Sequence, residues 1–275
     1  MASSSFSFSS LLGGNDSTLN QTLNKLSESF SRLSTGSRLN KASSDPAGQA
    51  IASALESVIV QVGQASRNVG DALSAVSIAD GAAEQVQSLN IRLQELATQS
   101  ANGTLSDSDR SALQAEYSST VQEIQRIAET TQFNGTNLLD GTSLSIQVGV
   151  DNSSNSNLNV GGLNIKEMAS SLASQDISTQ AGAQAALDAA QTFSDTLSSQ
   201  RSSSLGAAQA RLDSIDSSLS AKRQADQEAL SRIEDADYAE EIAQATALMI
   251  RAQTGTALQA QTYNLNVNVI KTLLS

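Results

Sequence analysis

From Ile51 to Ala97 the apolar residues recur at alternating spacings of four and three. One heptad position reads Ile51, Val58, Ala65, Ala72, Ala79, Val86 and Leu93. Its partner reads Leu55, Val62, Val69, Val76, Ala83, Asn90 and Ala97, so that only Asn90 is polar. A repeat sustained this long predicts a coiled-coil-like helix of roughly 75 Å. Its alanine-rich middle calls for close approach of neighbouring helices, because such a stripe cannot be buried alone.

The pattern predicts a stop at Asn102-Gly103, an αL cap pair, and a new helix from Ser106. Asp107 and Asp109 suit the positive end of that helix, and Asp109 gives a variant of the capping box. Leu113, Tyr117, Ile124 and Ile127 form its apolar face, which can fold back on the first helix. Thr131 to Gly141 reads as a loop with the turn signals Asn134-Gly135 and Asp140-Gly141. The period then changes to two: Leu144, Ile146, Val148 and Val150, then a polar run, then Leu158 and Val160. That is a β-hairpin pattern. Residues 166–180, rich in Ser and Gln, read as irregular.

The heptad returns near Gln180 with Leu187, Ala190, Ser194 and Leu197. After a slip near Arg201 it continues through Leu205, Ala208, Leu212, Ile215, Leu219, Ala229 and Ile233. Beyond Asp237 follow Tyr238, Ile242, Ala245, Met249, Ala252, Thr256, Tyr263, Ile270 and Leu273. A second stripe on the same segment is Leu248, Gly255, Leu258, Leu265 and Val269. A shorter stripe at the other end reads Leu19, Leu23, Leu26, Phe30 and Leu33. The predicted fold is mainly α: a long antiparallel coiled-coil-like helical hairpin or bundle built from both termini, with a small central β-hairpin. One terminal stripe faces the other terminus and the second has no cover within one chain. The ends are therefore expected to become ordered by packing against copies of the same protein.

The 275 residues suggest about two domains. A single proline favours long uninterrupted helices. With no His and no Cys, a thiolate nucleophile, a Ser-His-Asp triad and a zinc site of N/S ligands are excluded. The net charge of −12 argues against nucleic acid and against anionic membrane surfaces. No apolar run approaches a membrane span, and residues 1–24 lack the charged and apolar blocks of a signal peptide. The acidic pairs Asp107/Asp109, Glu234/Asp235 and Glu240/Glu241 read as helix caps and solvated faces rather than acid–base or metal sites. No cofactor and no catalytic residue is expected.

Several segments resemble the bacterial flagellins. Arg32-Leu33-Ser34-Thr35-Gly36-Ser37-Arg38-Leu39-Asn40 is similar to the family's RLSSGxRIN stretch, and Gly48-Gln49-Ala50-Ile51-Ala52 to its AAGxAIA segment. Gln64-Ala65-Ser66-Arg67-Asn68, Ala101-Asn102-Gly103-Thr104 and the run from Phe133 to Gly141 match further. Ser231-Arg232-Ile233-Glu234-Asp235-Ala236-Asp237-Tyr238 resembles the SRIEDADF/Y signature, and Gln253-Thr254-Gly255-Thr256-Ala257 the QAGTA run. The matches span nearly the whole chain in the right order.

The resemblance implies a filament subunit for swimming motility, not an enzyme, exported through the flagellar secretion channel and assembled outside the cell. Residues 1–45 with 236–275 would be inner-tube helices. Residues 46–235 would be the outer-tube domain, with the hairpin near 142–165 and no variable surface domains. Implied partners are further copies, a secretion chaperone, a filament cap and junction proteins. Self-assembly would rest on the stripes Leu19, Leu23, Leu26, Phe30, Leu33, Tyr238, Ile242, Met249, Leu258, Tyr263, Leu265, Val269, Ile270 and Leu273. Arg92, Leu96, Gln99 and Glu116 match positions that contact the innate flagellin receptor in flagellins sensed by animals, although Asn90, Ile91 and Gln94 depart from that pattern.

There are other departures. Phe6-Ser7-Phe8-Ser9-Ser10 stands where the family has Asn-Thr-Asn, and Gly13-Gly14 would delay the first helix to Asp16 or Ser17. Pro46 suits a first helical turn, so Asp45-Pro46 restarts the long helix. The alternative within the same helical class is a hook–filament junction protein.

Overall fold

The computed structural model describes residues 8–273 apart from Ala42, Ser44, Asn152, Ser154 and Asn155, and for 8–16 and 265–273 it describes the backbone alone. The elements are helices α1 (Phe8–Thr35), α2 (Pro46–Ser100) and α3 (Asp107–Thr130), and strands β1 (Gln132–Phe133), β2 (Thr136–Asn137), β3 (Leu144–Gln147) and β4 (Asn157–Val160). Helices α4 (Ile165–Ala173), α5 (Gln180–Gln200), α6 (Ala207–Glu234) and α7 (Tyr238–Leu273) follow. A π-helical turn, Arg201–Gly206, joins α5 to α6. The chain divides into two compact units, one of residues 1–57 with 226–275 and one of residues 58–225. The boundaries expected from sequence, after residue 45 and before residue 236, both fall inside the first of these.

In the second unit α2 supplies the long seam. Val62, Ala65, Val69, Ala72, Val76, Ala79, Ala83, Val86, Leu93 and Ala97 are all buried in one cluster. Only Ile51, in the other unit, departs from the seam and is exposed. Antiparallel to α2 run α5 and α6: Gln87 Nε2 donates to Ser194 Oγ at 2.7 Å, and Ser66 Oγ to Asp216 Oδ1 at 2.8 Å. Asn90, the one polar seam residue, is fully buried and donates from Nδ2 to the Ala190 carbonyl at 2.9 Å. A lone buried amide in a coiled-coil seam holds register, because any slip leaves it unpaired.

The slip near Arg201 has a structural cause. Leu197 and Leu205 are both buried yet eight residues apart, one more than a heptad. The π turn absorbs the extra residue and returns Leu205, Ala208 and Leu212 to the core. Arg201 bridges it to Asp80 of α2 at 2.8 Å, and Ser204 Oγ donates to the Gly161 carbonyl at 2.5 Å.

Helix α3 begins at Ser106, whose hydroxyl accepts from the Asp109 amide while the Asp109 carboxylate accepts from the Ser106 amide, a complete capping box. These bonds from Ser106 hold the Asp109 carboxyl below the ordinary aspartate range. Its core face is Tyr117, Val121, Ile124 and Ile127, with Leu113 half-buried. Burial pushes the Tyr117 hydroxyl up to about 12.

Four local expectations are corrected. First, α2 stops at Ser100 without an αL cap, since neither Asn102 nor Gly103 takes a positive φ. The turn is held instead by Arg110 Nη2, donating to the Asn102 carbonyl at 2.8 Å, and by Asn102 Oδ1, accepting from the Thr104 amide. Second, the 131–141 loop contains the short hairpin β1–β2, closed by Asn134 (φ 49°) and Gly135 (φ 80°), the left-handed pair of a type I′ turn. Third, 166–180 is not irregular throughout. Ile165, Ala169 and Leu172 are one buried face of α4, a spacing that the surrounding Ser and Gln obscure. Fourth, α1 runs through Gly13-Gly14 from Phe8 rather than starting at Asp16 or Ser17. Extending an existing helix needs no new nucleus, so two glycines need not end it.

Strands β3 and β4 form the expected hairpin, pairing antiparallel with Leu144 opposite Val160 and Ile146 opposite Leu158. Ile146, Val148, Leu158 and Val160 enter the core, whereas Val150 lies beyond β3 and is exposed. Asn68 of α2 anchors the hairpin, donating from Nδ2 to the Gln147 carbonyl at 2.9 Å.

Candidate assembly surface

In the first unit α1 packs antiparallel along α7, and what joins them is largely small or polar. Glu241, Ala245 and Ala252 of α7 are buried, as is Ser29 of α1. At Gly255 an added Cβ would lie 3.2 Å from Leu19 Cδ1, so the helices approach closely there. With Leu248 half-buried, the seam reads 241, 245, 248, 252, 255, a heptad drawn from both predicted stripes. Residues with short side chains let two helices sit close, which turns the large residues outward.

Glu241 is the polar centre of this seam. Its Oε2 accepts from Ser29 Oγ at 2.5 Å and its Oε1 from Arg32 Nη1 at 2.9 Å. Partial burial pushes its carboxyl up, but the Ser29 hydroxyl and the Arg32 guanidinium outweigh that and hold it below the ordinary glutamate range. The expectation of a solvated face for Glu241 is therefore wrong. The cap of α7 is Asp237, whose Oδ1 accepts from the amides of Ala239 and Glu240.

Beside the seam, the two most recognisable sequence blocks meet. Gly36 ends α1 with φ 73°, and its amide donates to the Arg32 carbonyl at 2.8 Å. Its carbonyl accepts from the Ala236 amide at 2.9 Å, and Ser37 forms a β-bridge with Asp235. An added Cβ at Gly36 would come within 3.1 Å of the Tyr238 hydroxyl, so conformation and space both demand glycine. The Arg38 amide donates to the Glu234 carbonyl at 2.6 Å and its Nη2 to the Ile233 carbonyl at 2.9 Å, occupying the last carbonyls of α6. Farther on, Asp45 Oδ1 accepts from the Gly48 amide at 2.9 Å and starts α2, as Asp45-Pro46 predicts.

These joints leave the predicted assembly residues divided. Leu19, Leu26 and Leu33 are half-buried beside α7. Leu23 and Phe30 remain 45% and 48% exposed, and on α7 the range runs from 39% for Met249 to 60% for Tyr263, taking in Tyr238, Ile242 and Leu258. Leu265, Val269, Ile270 and Leu273 lie outside the residues with described side chains. Of the receptor-type positions, Arg92, Gln99 and Glu116 are exposed, and Arg92 Nη2 meets Glu116 Oε1 at 2.5 Å. Leu96 is 1% exposed. It belongs to the core side of α2, not to that surface. Ser29, Arg32, Gly36, Arg38 and Glu241 were not singled out from sequence as site residues. For Arg32, Gly36 and Arg38 the signal available was their place in a recognisable block, whereas Ser29 and Glu241 lie outside both blocks.

Among the described residues no group of three or more acidic, His or Cys side chains could hold a metal, and no described helix is long and apolar enough to cross a membrane.

Comparison with known proteins agrees with this architecture. Residues 14–144 match the bacterial flagellin N-terminal helical region and residues 187–273 the C-terminal helical region. The flagellin of Halalkalibacterium halodurans is 37% identical over 87% of this chain and 88% of its own length. The crystal structure of Bacillus cereus flagellin covers 56% of this chain and 88% of its own, at 27% identity and a TM-score of 0.50. A Vibrio parahaemolyticus protein assigned to the flagellar hook-associated group covers 70% of this chain with a TM-score of 0.58, but at 16% identity it speaks for the fold alone. The chain therefore belongs to the bacterial flagellin family, the structural and non-enzymatic subunits of the flagellar filament.

Proposed function

We propose that this flagellin builds its filament through the outward flanks of α1 and α7. The observation that carries the reading is the exposure of Leu23, Phe30, Tyr238, Ile242, Met249, Leu258 and Tyr263 along two paired helices. Large apolar side chains in such number on one unit mark an interaction surface. Residues 1–45 and 236–275 then line the inner tube, and the unit built on α2 bears lateral contacts. Seeded elongation tests this. Ile242→Ser combined with Tyr263→Ser is expected to fold as the parent does and to stop elongating seeds, whereas unchanged elongation would refute the role of the flank.

Before assembly the same flank on α7 would need cover, which suits a secretion chaperone; a filament cap and junction proteins would meet it at the filament's two ends. Arg92, Gln99 and Glu116, being exposed, keep the receptor contact open as a property of the free subunit. A hook–filament junction role is the second reading, because the hook-associated protein shares the fold and the fold alone does not separate the two roles. Electron microscopy of the elongated product separates the two, with long fibres from a filament subunit and none from a junction protein.

A further inference from the structure

Although the chain carries a net charge of −12, one groove in its first unit is basic. Between α1 and α7 a groove of about 460 Å³ is lined by Lys25, Glu28 and Arg32 on one side and by Ala247, Leu248 and Arg251 on the other. Two of its charges are already used: Glu28 meets Lys41 at 3.5 Å and Arg32 meets Glu241 at 2.9 Å. Lys25 and Arg251 are exposed and, among the described residues, neither is in an ion pair. The groove thus presents two unbalanced cations on an acidic molecule, and the same two helices carry the exposed Leu23, Phe30 and Met249.

The same unit holds the opposite charge elsewhere. Residues 234–241 contain five acidic side chains: Glu234, Asp235, Asp237, Glu240 and Glu241. Four accept hydrogen bonds within the chain: Asp237 caps α7, Glu241 sits in the seam, Asp235 accepts from Ser231 Oγ, and Glu240 Oε1 accepts from the neutral amide of Gln244 at 3.0 Å, which leaves its charge unbalanced. Glu234 and Glu240 form no ion pair among the described residues, and Glu240 is exposed beside Tyr238 and Ile242.

We propose that the Lys25–Arg251 groove of one copy receives the Glu234/Glu240 corner of a second copy. The inference rests on the filament reading and names the contact that reading leaves open. The contact proposed is head-to-tail, the groove of one copy on the corner of the next. Each copy that fills a groove offers its own groove to the next, which is the geometry of an open polymer rather than a closed dimer. Opposite charges fix register and partner choice beside an apolar flank that is itself unselective.

The test is the critical concentration for elongation of seeds by the full chain. K25Q/R251Q and E234Q/E240Q are each expected to raise it about tenfold, with monomer circular dichroism and melting temperature unchanged. K25R/R251K, which keeps the charges, is expected within about twofold of wild type. The two neutralised pairs combined are expected to cost no more than either alone, because both remove the same contact. Raising NaCl to 1 M, where the Debye length is about 3 Å, is expected to erase the difference between wild type and K25Q/R251Q. Elongation of K25Q/R251Q at the wild-type concentration overturns the proposal, as does a wild-type advantage that survives 1 M salt. Losses that multiply in the combined variant overturn the pairing of groove with corner. Failure of wild-type subunits to elongate seeds overturns the filament reading and the proposal with it.

Discussion

Replacing Glu241 with Ala isolates what holds α1 to α7. The carboxylate is 8% exposed in its side chain and accepts two hydrogen bonds, from Ser29 at 2.5 Å and from Arg32 at 2.9 Å. Removing one partner of a buried pair costs about 3–5 kcal/mol because the other charge is stranded. Arg32 keeps 28% of its side chain in water and can rehydrate, while the Ser29 hydroxyl cannot. The expected loss is therefore about 2–3 kcal/mol, confined to the first unit. Native-state hydrogen exchange reads this directly: amides in 19–33 and 241–255 should exchange about 30- to 150-fold faster, while those of α3 and α5 stay as they were. Glu241→Gln, which keeps an acceptor, should lose about half as much. Since the folded carboxyl lies below its ordinary value, its contribution is complete above about pH 4.3 and disappears as pH falls through the lowered value. The gap between wild type and Glu241→Gln should close on that side alone. Exchange in Glu241→Ala within twofold of wild type would refute the assignment of Glu241 as the polar lock of this helix pair.

Three further outcomes are expected. Leu96→Ala should destabilise the second unit by about 2–5 kcal/mol in urea unfolding, whereas Arg92→Ala should leave its melting temperature unchanged; in a receptor reporter-cell assay only the Arg92 change then tests a surface contact. Gly36→Ala should cost about 1–2 kcal/mol through its left-handed backbone alone, with the Tyr238 hydroxyl adding to it, and Gly36→Asn should cost less; the check is unfolding of the first unit. In a spectrophotometric titration Tyr117 should ionise only near pH 12, and Tyr117→Phe should remove that late component. Because the folded value is raised, Tyr117 contributes stability below pH 10 that is lost as pH climbs from 10 to 12.

What the sequence reveals depends on how far apart the cause and its effect lie along the chain. The seam of α2 is legible because its cause is a local repeat. The π turn leaves a trace in the sequence as a slip near Arg201, an eight-residue interval between Leu197 and Leu205. The inward faces of β3 and β4 follow from period-two alternation, whereas their register is set by the turn between them. Helix α4 is hidden because only Ile165, Ala169 and Leu172 are buried and the intervening polar residues resemble a linker. The lock on Glu241 is hidden for another reason: Ser29 and Arg32 lie more than two hundred residues away. A glutamate in a first helical turn then looks like a dipole partner and nothing more. For the same reason the seam of α7 divides its residues differently from the stripes that the apolar pattern predicts. Apolarity marks which residues want cover, but the small residues, Ala245, Ala252 and Gly255, decide where the partner helix can approach.

Tyrosine footprinting tests the central claim most directly, because the chain has three tyrosines in two environments and no tryptophan. Tyr238 and Tyr263 are 53% and 60% exposed, and Tyr117 is 1% exposed. Acetylation by N-acetylimidazole, read by mass spectrometry, should label Tyr238 and Tyr263 in the dilute subunit, spare both in the filament, and spare Tyr117 in each. Equal labelling of Tyr238 and Tyr263 in subunit and filament would contradict the claim that copies of this flagellin cover the flanks of α1 and α7.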